Sequence, residues 1–221
     1  MAFGDVIRSE TPPGIAPYGV GGDASRIWES DPAGTNYELS VTDFSALQTV
    51  AGPGPAPVSI GGDSSTVWHC DPGNTTIYEL KPSDLSVVRS AAAPNGEPDG
   101  IGGQSDTIWH CDKTAAKVYE LSTTDFSVVR SEDAPALNAN GIGGSDTRIW
   151  YSCGGEAAGE FFNELSTTDF SVVQGAASAK TTSDIGGDSH IIWAMVAGPY
   201  LVEEIDSGYP SAVPRSGIII T

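Results

Sequence analysis

The chain has 221 residues, with 29 acidic side chains against 10 basic ones and a formal net charge of −19. So acidic a surface repels phosphate groups, which excludes nucleic acid as an expected partner and disfavours anionic membranes. There is no apolar run long enough to cross a bilayer, and the first residues lack the basic and apolar regions of a signal peptide, so no transmembrane helix and no secretory signal are expected.

The first predicted element is a strand within residues 3–9, FGDVIRS, and this sequence returns later in the chain. Residues 126–131 read FSVVRS and residues 211–216 read SAVPRS.

In between, one sequence unit recurs. Each copy has a glycine pair followed by a tryptophan, and the tryptophans are spaced by 40, 41, 41 and 43 residues: Trp28, Trp68, Trp109, Trp150 and Trp193. Such a period is typical of a repeat architecture.

Each repeat reads as four short strands separated by turn residues. In the clearest copy the strands are Gly100–Gly103, Thr107–Cys111, Lys117–Leu121 and Phe126–Arg130. β-branched and aromatic residues favour strands, and no 3.6-residue apolar stripe indicates a helix. Four strands in about 41 residues correspond to one propeller blade. We therefore predict an all-β, five-bladed β-propeller of four antiparallel strands per blade, as one domain with repeats at about 19–58, 59–99, 100–140, 141–184 and 185–216.

The five tryptophans are expected to fill the spaces between neighbouring blades, where a large aromatic side chain contributes most to burial. The run Pro98–Gly103, the segment Thr107–Trp109, Asp112 and Val118 together resemble NHL and YVTN propeller repeats. The resemblance implies blade architecture over nearly the whole chain and no particular activity. It departs from those repeats at His69-Cys70 and His110-Cys111.

The two ends of the chain predict how the ring closes. Fourth-strand sequences occur six times, whereas the other three strands occur five times. Pro214 weakens the C-terminal copy because proline cannot donate a ladder hydrogen bond. The N-terminal strand, Val6, Ile7 and Arg8 with Ser9, is therefore expected to join the last blade and close the ring. The remaining apolar tail, Gly217–Thr221, is expected to pack on its own ring or to pair with another chain through a strand edge.

The three cysteines, Cys70, Cys111 and Cys153, are interpreted as equivalent positions in blades two, three and four. Equivalent positions lie about 10 Å apart between sheets, which is too far for a disulfide, so free thiols are expected. Localisation stays unknown, although free thiols favour an intracellular compartment. A metal site at the His-Cys pairs is disfavoured, because adjacent strand residues point to opposite faces.

Repeated carboxylates are the remaining candidates for chemistry. Glu38, Glu79, Glu120, Glu164 and Glu203 are interpreted as one third-strand position, paired with fourth-strand arginines such as Arg89 or Arg130. Asp23, Asp63, Asp106, Asp146 and Asp188 are interpreted as caps of the first turns. Bound calcium is a weaker alternative for these turns, and no other cofactor is expected.

No catalytic constellation can be recognised. The three histidines, His69, His110 and His190, form no Ser-His-Asp or Cys-His pattern, and the glycine pairs lie on strands and do not form a phosphate-binding loop. No catalytic, cofactor-binding or metal-binding residue is therefore predicted. The favoured function is a non-catalytic binding or structural module for an unknown protein or glycan. The alternatives are a multivalent, lectin-like propeller and a hydrolase or lyase with a site at the central channel.

Overall fold

The computed structural model of the protein describes residues 2–155, 159–178, 180–197 and 200–210. These residues form five four-stranded antiparallel sheets arranged as a five-bladed β-propeller. None of the described residues is helical, so no helix in this part of the chain could cross a membrane. The predicted fold class is confirmed.

The strands of the five blades occupy four equivalent positions. The first strands, which surround the axis, are β2 Gly19–Gly22, β6 Ser59–Gly62, β10 Pro98–Gln104, β14 Ala139–Gly144 and β18 Thr182–Gly187. The second strands are β3 Ile27–Asp31, β7 Val67–Asp71, β11 Thr107–Asp112, β15 Ile149–Gly155 and β19 Ile191–Val196. The third strands are β4 Thr35–Leu39, β8 Thr76–Leu80, β12 Lys117–Leu121, β16 Gly159–Leu165 and β20 Leu201–Asp206. The outer strands are β5 Ala46–Ala51, β9 Val87–Ala92, β13 Val128–Asp133, β17 Val172–Ser178 and, for blade five, β1 Val6–Glu10.

The N-terminal strand closes the ring, as predicted. β1 pairs with β20, with Val6 opposite Ile205 and Arg8 opposite Glu204. The register shifts between these two pairs, and Ile7 lies at the irregularity. Residues 211–221, which contain the competing fourth-strand sequence and the apolar tail, lie outside the described residues.

The outer strands begin later than predicted. Phe126 belongs to the preceding turn, and β13 starts at Val128. Phe126 has a φ of +62°, in the left-handed region that large side chains rarely adopt. Burial compensates for this conformation, because the Phe126 ring is 5% exposed and packs edge-on against Trp68 of the previous blade. Phe44 and Phe170 adopt the same conformation against Trp193 and Trp109.

Candidate functional site

The structure places every tryptophan in a cluster with residues of the following blade. All five are at most 2% exposed. Trp68, for example, packs against Ile101 and Ile108 of blade three, and its indole N–H donates to the Gln104 carbonyl oxygen at 3.1 Å. Trp109, Trp150 and Trp193 donate in the same way to Ser145, Asp188 and Asp23. These residues therefore belong to the scaffold and not to a binding surface.

The closing strand also reaches the next blade. The Arg8 Nε atom lies 2.6 Å from Glu204 Oε2, and the guanidinium donates to the carbonyl oxygens of Val41 and Thr42 in blade one. The same guanidinium lies 4.5 Å from the centre of the Phe44 ring. Arg8 thus joins blade five to blade one.

Two alignments made from the sequence are wrong by one residue in the less regular blades. Trp193 lies opposite Glu204, so Glu204 and not Glu203 is the fifth member of the third-strand glutamates. Cys153 lies opposite Ala139 and therefore takes the place of Asp112, whereas Cys70 and Cys111 are equivalent. No disulfide joins these three cysteines, and all three are buried. The glutamate-arginine pairs occur as expected, at Glu79–Arg89 and Glu120–Arg130.

The first turns are also less uniform than the sequence suggested. Asp23, Asp63 and Asp188 each accept backbone hydrogen bonds within their turn. In blades three and four, however, Gln104 and Ser145 directly follow the glycine pair, so Asp106 and Asp146 lie at a different position. Among the described residues no group of three or more His, Cys, Asp or Glu side chains could hold a metal ion.

The propeller axis is closed by backbone. One glycine from each first strand forms a ring in which a Cβ on any member would lie 2.6–3.0 Å from the Cα of the next: Gly21, Gly61, Gly102, Gly143 and Gly186. Real Cβ atoms do not approach so closely, so these positions require glycine. The axis therefore holds no open channel at this level, and a ligand can approach it only from an end.

A buried carboxyl group lies on the axis above this ring. Asp184 occupies the position held by Gly19, Ser59, Gly100 and Gly141 in the other blades. Its Oδ2 accepts hydrogen bonds from the Val20 N–H at 2.9 Å and the Ser59 hydroxyl at 2.8 Å, so it bridges blades five, one and two. Burial raises the pKa of Asp184 well above its usual range, although these donors oppose the shift.

The next layer outward forms the end of the axis where the first strands begin, and we call it the axial mouth. By alignment of the repeats it takes one residue from each blade: Tyr18, Val58, Asp99, Asn140 and Ser183. Of these, Val58 packs against the Trp68 cluster and Ser183 is buried. Asn140 donates to the Thr182 carbonyl oxygen at 2.9 Å, and the Ser183 hydroxyl donates to the Tyr18 carbonyl oxygen at 2.8 Å. These two side chains therefore join adjacent blades.

Ionisation at the axial mouth is perturbed. Burial raises the pKa of Asp99 to about 6, and the charges of Glu97 and Asp112 add to the shift, while the Lys113 N–H hydrogen bond opposes it. Burial also raises the pKa of Tyr18, and the neighbouring carboxylates Asp99 and Asp184 raise it further. A cluster of ionisable groups with shifted pKa values is a candidate functional site.

Sequence reasoning missed this cluster. The available signal was a single acidic residue, Asp184, at a position where the other repeats carry glycine or serine. His69 and His110, the histidines considered for metal binding, are fully buried between blades. Burial lowers the pKa of His69 to about 3 and that of His110 to about 4, so both are neutral at physiological pH.

No protein-family model matches the sequence, and no curated protein matches it. Solved structures do share the fold. Glutaminyl cyclase from Myxococcus xanthus has a TM-score of 0.73 at 13% identity, over 93% of this chain and 99% of the other. Virginiamycin B lyase from Staphylococcus aureus, an inactive H270A variant with quinupristin, has a TM-score of 0.53 at 15% identity, over 86% and 66%. A chain of the mitotic checkpoint complex has a TM-score of 0.55 at 8% identity, over 86% and 63%. At these identities the likeness concerns the fold alone, so the neighbours support a β-propeller of undetermined function.

Proposed function

We propose that the protein is a binding module that takes one small polar ligand at the axial mouth, and that its repeats are of the NHL or YVTN type. What supports the site is the pattern of divergence among blades. Scaffold positions such as the tryptophan repeat in all five blades, whereas the five axial-mouth residues are all different. A ring whose members differ binds an asymmetric ligand in one orientation, with a stoichiometry of one.

The chemistry of the axial mouth favours a ligand that donates hydrogen bonds and carries positive charge. The charges of Asp99 and Asp184 both act on the Tyr18 phenol, so the three groups lie near one another. The charge of Lys113 lowers the pKa of Asp99, but desolvation outweighs it. The net charge of −19 would in addition attract a cation from solution. We therefore propose a small ammonium compound as the ligand class.

Calorimetric titration tests this proposal with alkylammonium ions of increasing size, each against the neutral alcohol of the same shape. We expect one site per chain and at least tenfold weaker ammonium binding in Asp99→Asn, because a charged partner of the cation is lost. Asp106→Asn is the matched control, since Asp106 is exposed at the other end of blade three. Equal weakening by both variants, or about five equivalent sites, would overturn the proposal. The second outcome would favour the lectin-like alternative.

A second candidate is acid–base catalysis at the same mouth. It is favoured by the Asp99 pKa of about 6, which lets this carboxyl group both give and take a proton near neutral pH. One structural neighbour, which matches 93% of this chain, is a glutaminyl cyclase, so cyclisation of a glutaminyl peptide is the first reaction to assay. Ammonia release that is absent in Asp99→Asn would support catalysis. Unchanged peptide after prolonged incubation would exclude this reaction.

A further inference from the structure

The interface between blades four and five lacks two aromatic side chains that fill the interface between blades one and two and the interface between blades two and three. Tyr78 and Tyr119, on the third strands of blades two and three, each face the previous blade. Each tyrosine lies opposite a histidine of its own second strand, with ring centres 5.8 Å apart for His69 and Tyr78 and 5.5 Å apart for His110 and Tyr119. Two rings therefore occupy this level in both interfaces.

Blade five carries Ala194 and Glu203 at the same two positions. The register is equivalent, because Ala194 lies opposite Glu203 as His69 lies opposite Tyr78. Both aromatic rings are thus replaced by smaller or narrower groups. A cavity of about 200 Å³ lies at this level, lined by residues of both blades and of the closing strand, including Phe162, Ala177, Val6 and Glu203. We call it the seam cavity.

The seam cavity has an apolar side and a charged end. Phe162 of blade four supplies an aromatic wall. At the other end the Lys180 ammonium forms an ion pair with Glu203. The Glu203 side chain is only 3% exposed, whereas that of Lys180 is 42% exposed, so a buried acceptor lies beside a cation that solvent can reach. Ser178 adds a hydroxyl whose proton is donated to the Lys180 carbonyl oxygen at 2.7 Å.

We propose that the seam cavity binds a small phenol, a single aromatic ring with a hydroxyl group. The phenol ring would take the place that Tyr78 and Tyr119 fill in the regular interfaces and would pack on Phe162. Its hydroxyl would form a hydrogen bond with the Lys180–Glu203 pair. The size is appropriate, because an apolar cavity of about 150 Å³ is known to bind benzene. A phenol hydroxyl can in addition donate to the Glu203 carboxylate beside Lys180, which a purely apolar ligand cannot do. The seam cavity is separate from the axial mouth, so the two proposals fail independently.

The test uses p-cresol, the side chain of tyrosine, as the probe. We expect saturable 1:1 binding by protein-observed NMR, with chemical-shift changes at Phe162 and Ala177, and a thermal stabilisation that grows with ligand concentration. Toluene, which lacks the hydroxyl, should bind at least fivefold more weakly. Chemical-shift changes that do not saturate with p-cresol, or that spread over all five blades, would overturn the proposal.

The variant Glu203→Tyr provides the decisive comparison, because it restores the tyrosine found at this position in blades one, two and three. We expect it to weaken p-cresol binding at least tenfold. Val129→Tyr is the matched control, since it adds a tyrosine at a position that is 58% exposed. If Glu203→Tyr does not fold, Ala177→Leu fills the seam cavity from blade four and should have the same effect. Retained p-cresol binding in a folded, cavity-filled variant would overturn the proposal.

Discussion

The interface between blades two and three and the interface between blades four and five use the same positions with different side chains. In the first, the turn of blade three supplies Phe126, which packs edge-on against Trp68 at 5.9 Å. In the second interface, the aromatic side chain that packs on Trp150 is Phe3, from the start of the chain. The two aromatic rings are stacked with their centres 6.1 Å apart. The regular interface is therefore built from consecutive repeats, whereas the closing interface depends on both ends of the described chain.

The difference extends to the polar contacts. Arg89 lies 4.4 Å from the Phe126 ring centre and bonds two carbonyl oxygens of blade three. The corresponding residue in blade four is Gln174, whose amide donates to Glu164 at 2.7 Å. Departures from the repeat thus concentrate where the ring closes, at the seam cavity and its surroundings. The contacts that repeat between blades stabilise the propeller, and the irregular interface between blades four and five leaves space for the seam cavity.

The largest expected effect comes from removing the closing strand. Deletion of residues 1–9 removes most of β1, the Phe3 ring on Trp150 and the Arg8 contacts to blade one. The edge of β20 would then expose unpaired backbone groups that can pair with another chain. We expect a much lower melting temperature and association, measured by calorimetry and light scattering.

Deletion of residues 1–2 alone is the matched control for that truncation, because it leaves Phe3 and β1 in place. It removes two hydrogen bonds between Ala2 and Asp5, one in each direction. A stable monomer after the longer deletion would show that the closing interface contributes little to the fold.

The second prediction concerns a regular interface. Trp109 is 2% exposed and packs against Phe170 of blade four at 5.8 Å. Trp109→Ala should lower the free energy of unfolding by about 3–5 kcal/mol, as for other buried large aromatic residues. Urea denaturation measures this loss. Phe3→Ala, at the closing interface, should cost less, because Phe3 is partly exposed. Equal losses would remove the distinction between the two interfaces.

Sequence reasoning could predict what repeats and could not predict what deviates. The spacing of the tryptophans and the glycine pairs follow from a steric requirement that every blade shares. The copy of the outer-strand sequence at Val6–Ser9 predicted which strand closes the propeller. An aspartate at the Asp184 position and the Ala194–Glu203 pair are found in blade five and in no other blade. They depend on the exact register of blade five, where the choice of Glu203 over Glu204 decides which side chain faces blade four. A single-residue error there hides the cavity, because neighbouring residues of a strand face opposite sides.

The third prediction concerns the interface between blades five and one, where Glu29 takes the place of His69. Burial raises the pKa of Glu29 from 4.5 to about 8, and the charge of Asp31 adds to the shift. The folded state therefore binds this proton more tightly than the unfolded state does. The free energy of unfolding should fall between about pH 4.5 and pH 8, by up to roughly 1.4 kcal/mol per pH unit, and level off above.

Glu29→Gln removes this titration. Urea denaturation over a pH series should show the variant close to the native protein in acid and more stable than it above about pH 8. A parallel profile for Glu29→Gln and the native protein would mean that Glu29 does not carry the buried proton.

The smallest expected effect comes from exchanging Arg89 of blade two and Gln174 of blade four, which occupy the same fourth-strand position. Arg89→Gln loses the contacts to the Thr123 and Thr124 carbonyl oxygens and should cost about 1–2 kcal/mol, because hydrogen bonds from a charged donor contribute more than neutral ones. Gln174→Arg should bring no matching gain. Glu164 already accepts from Arg148 at 2.8 Å and from the Tyr209 hydroxyl at 3.0 Å, so a second guanidinium would repel the first. Urea denaturation of both variants measures this asymmetry. A gain in Gln174→Arg as large as the loss in Arg89→Gln would show that the closing interface accepts the regular contact and that its departure from the repeat has no structural cause.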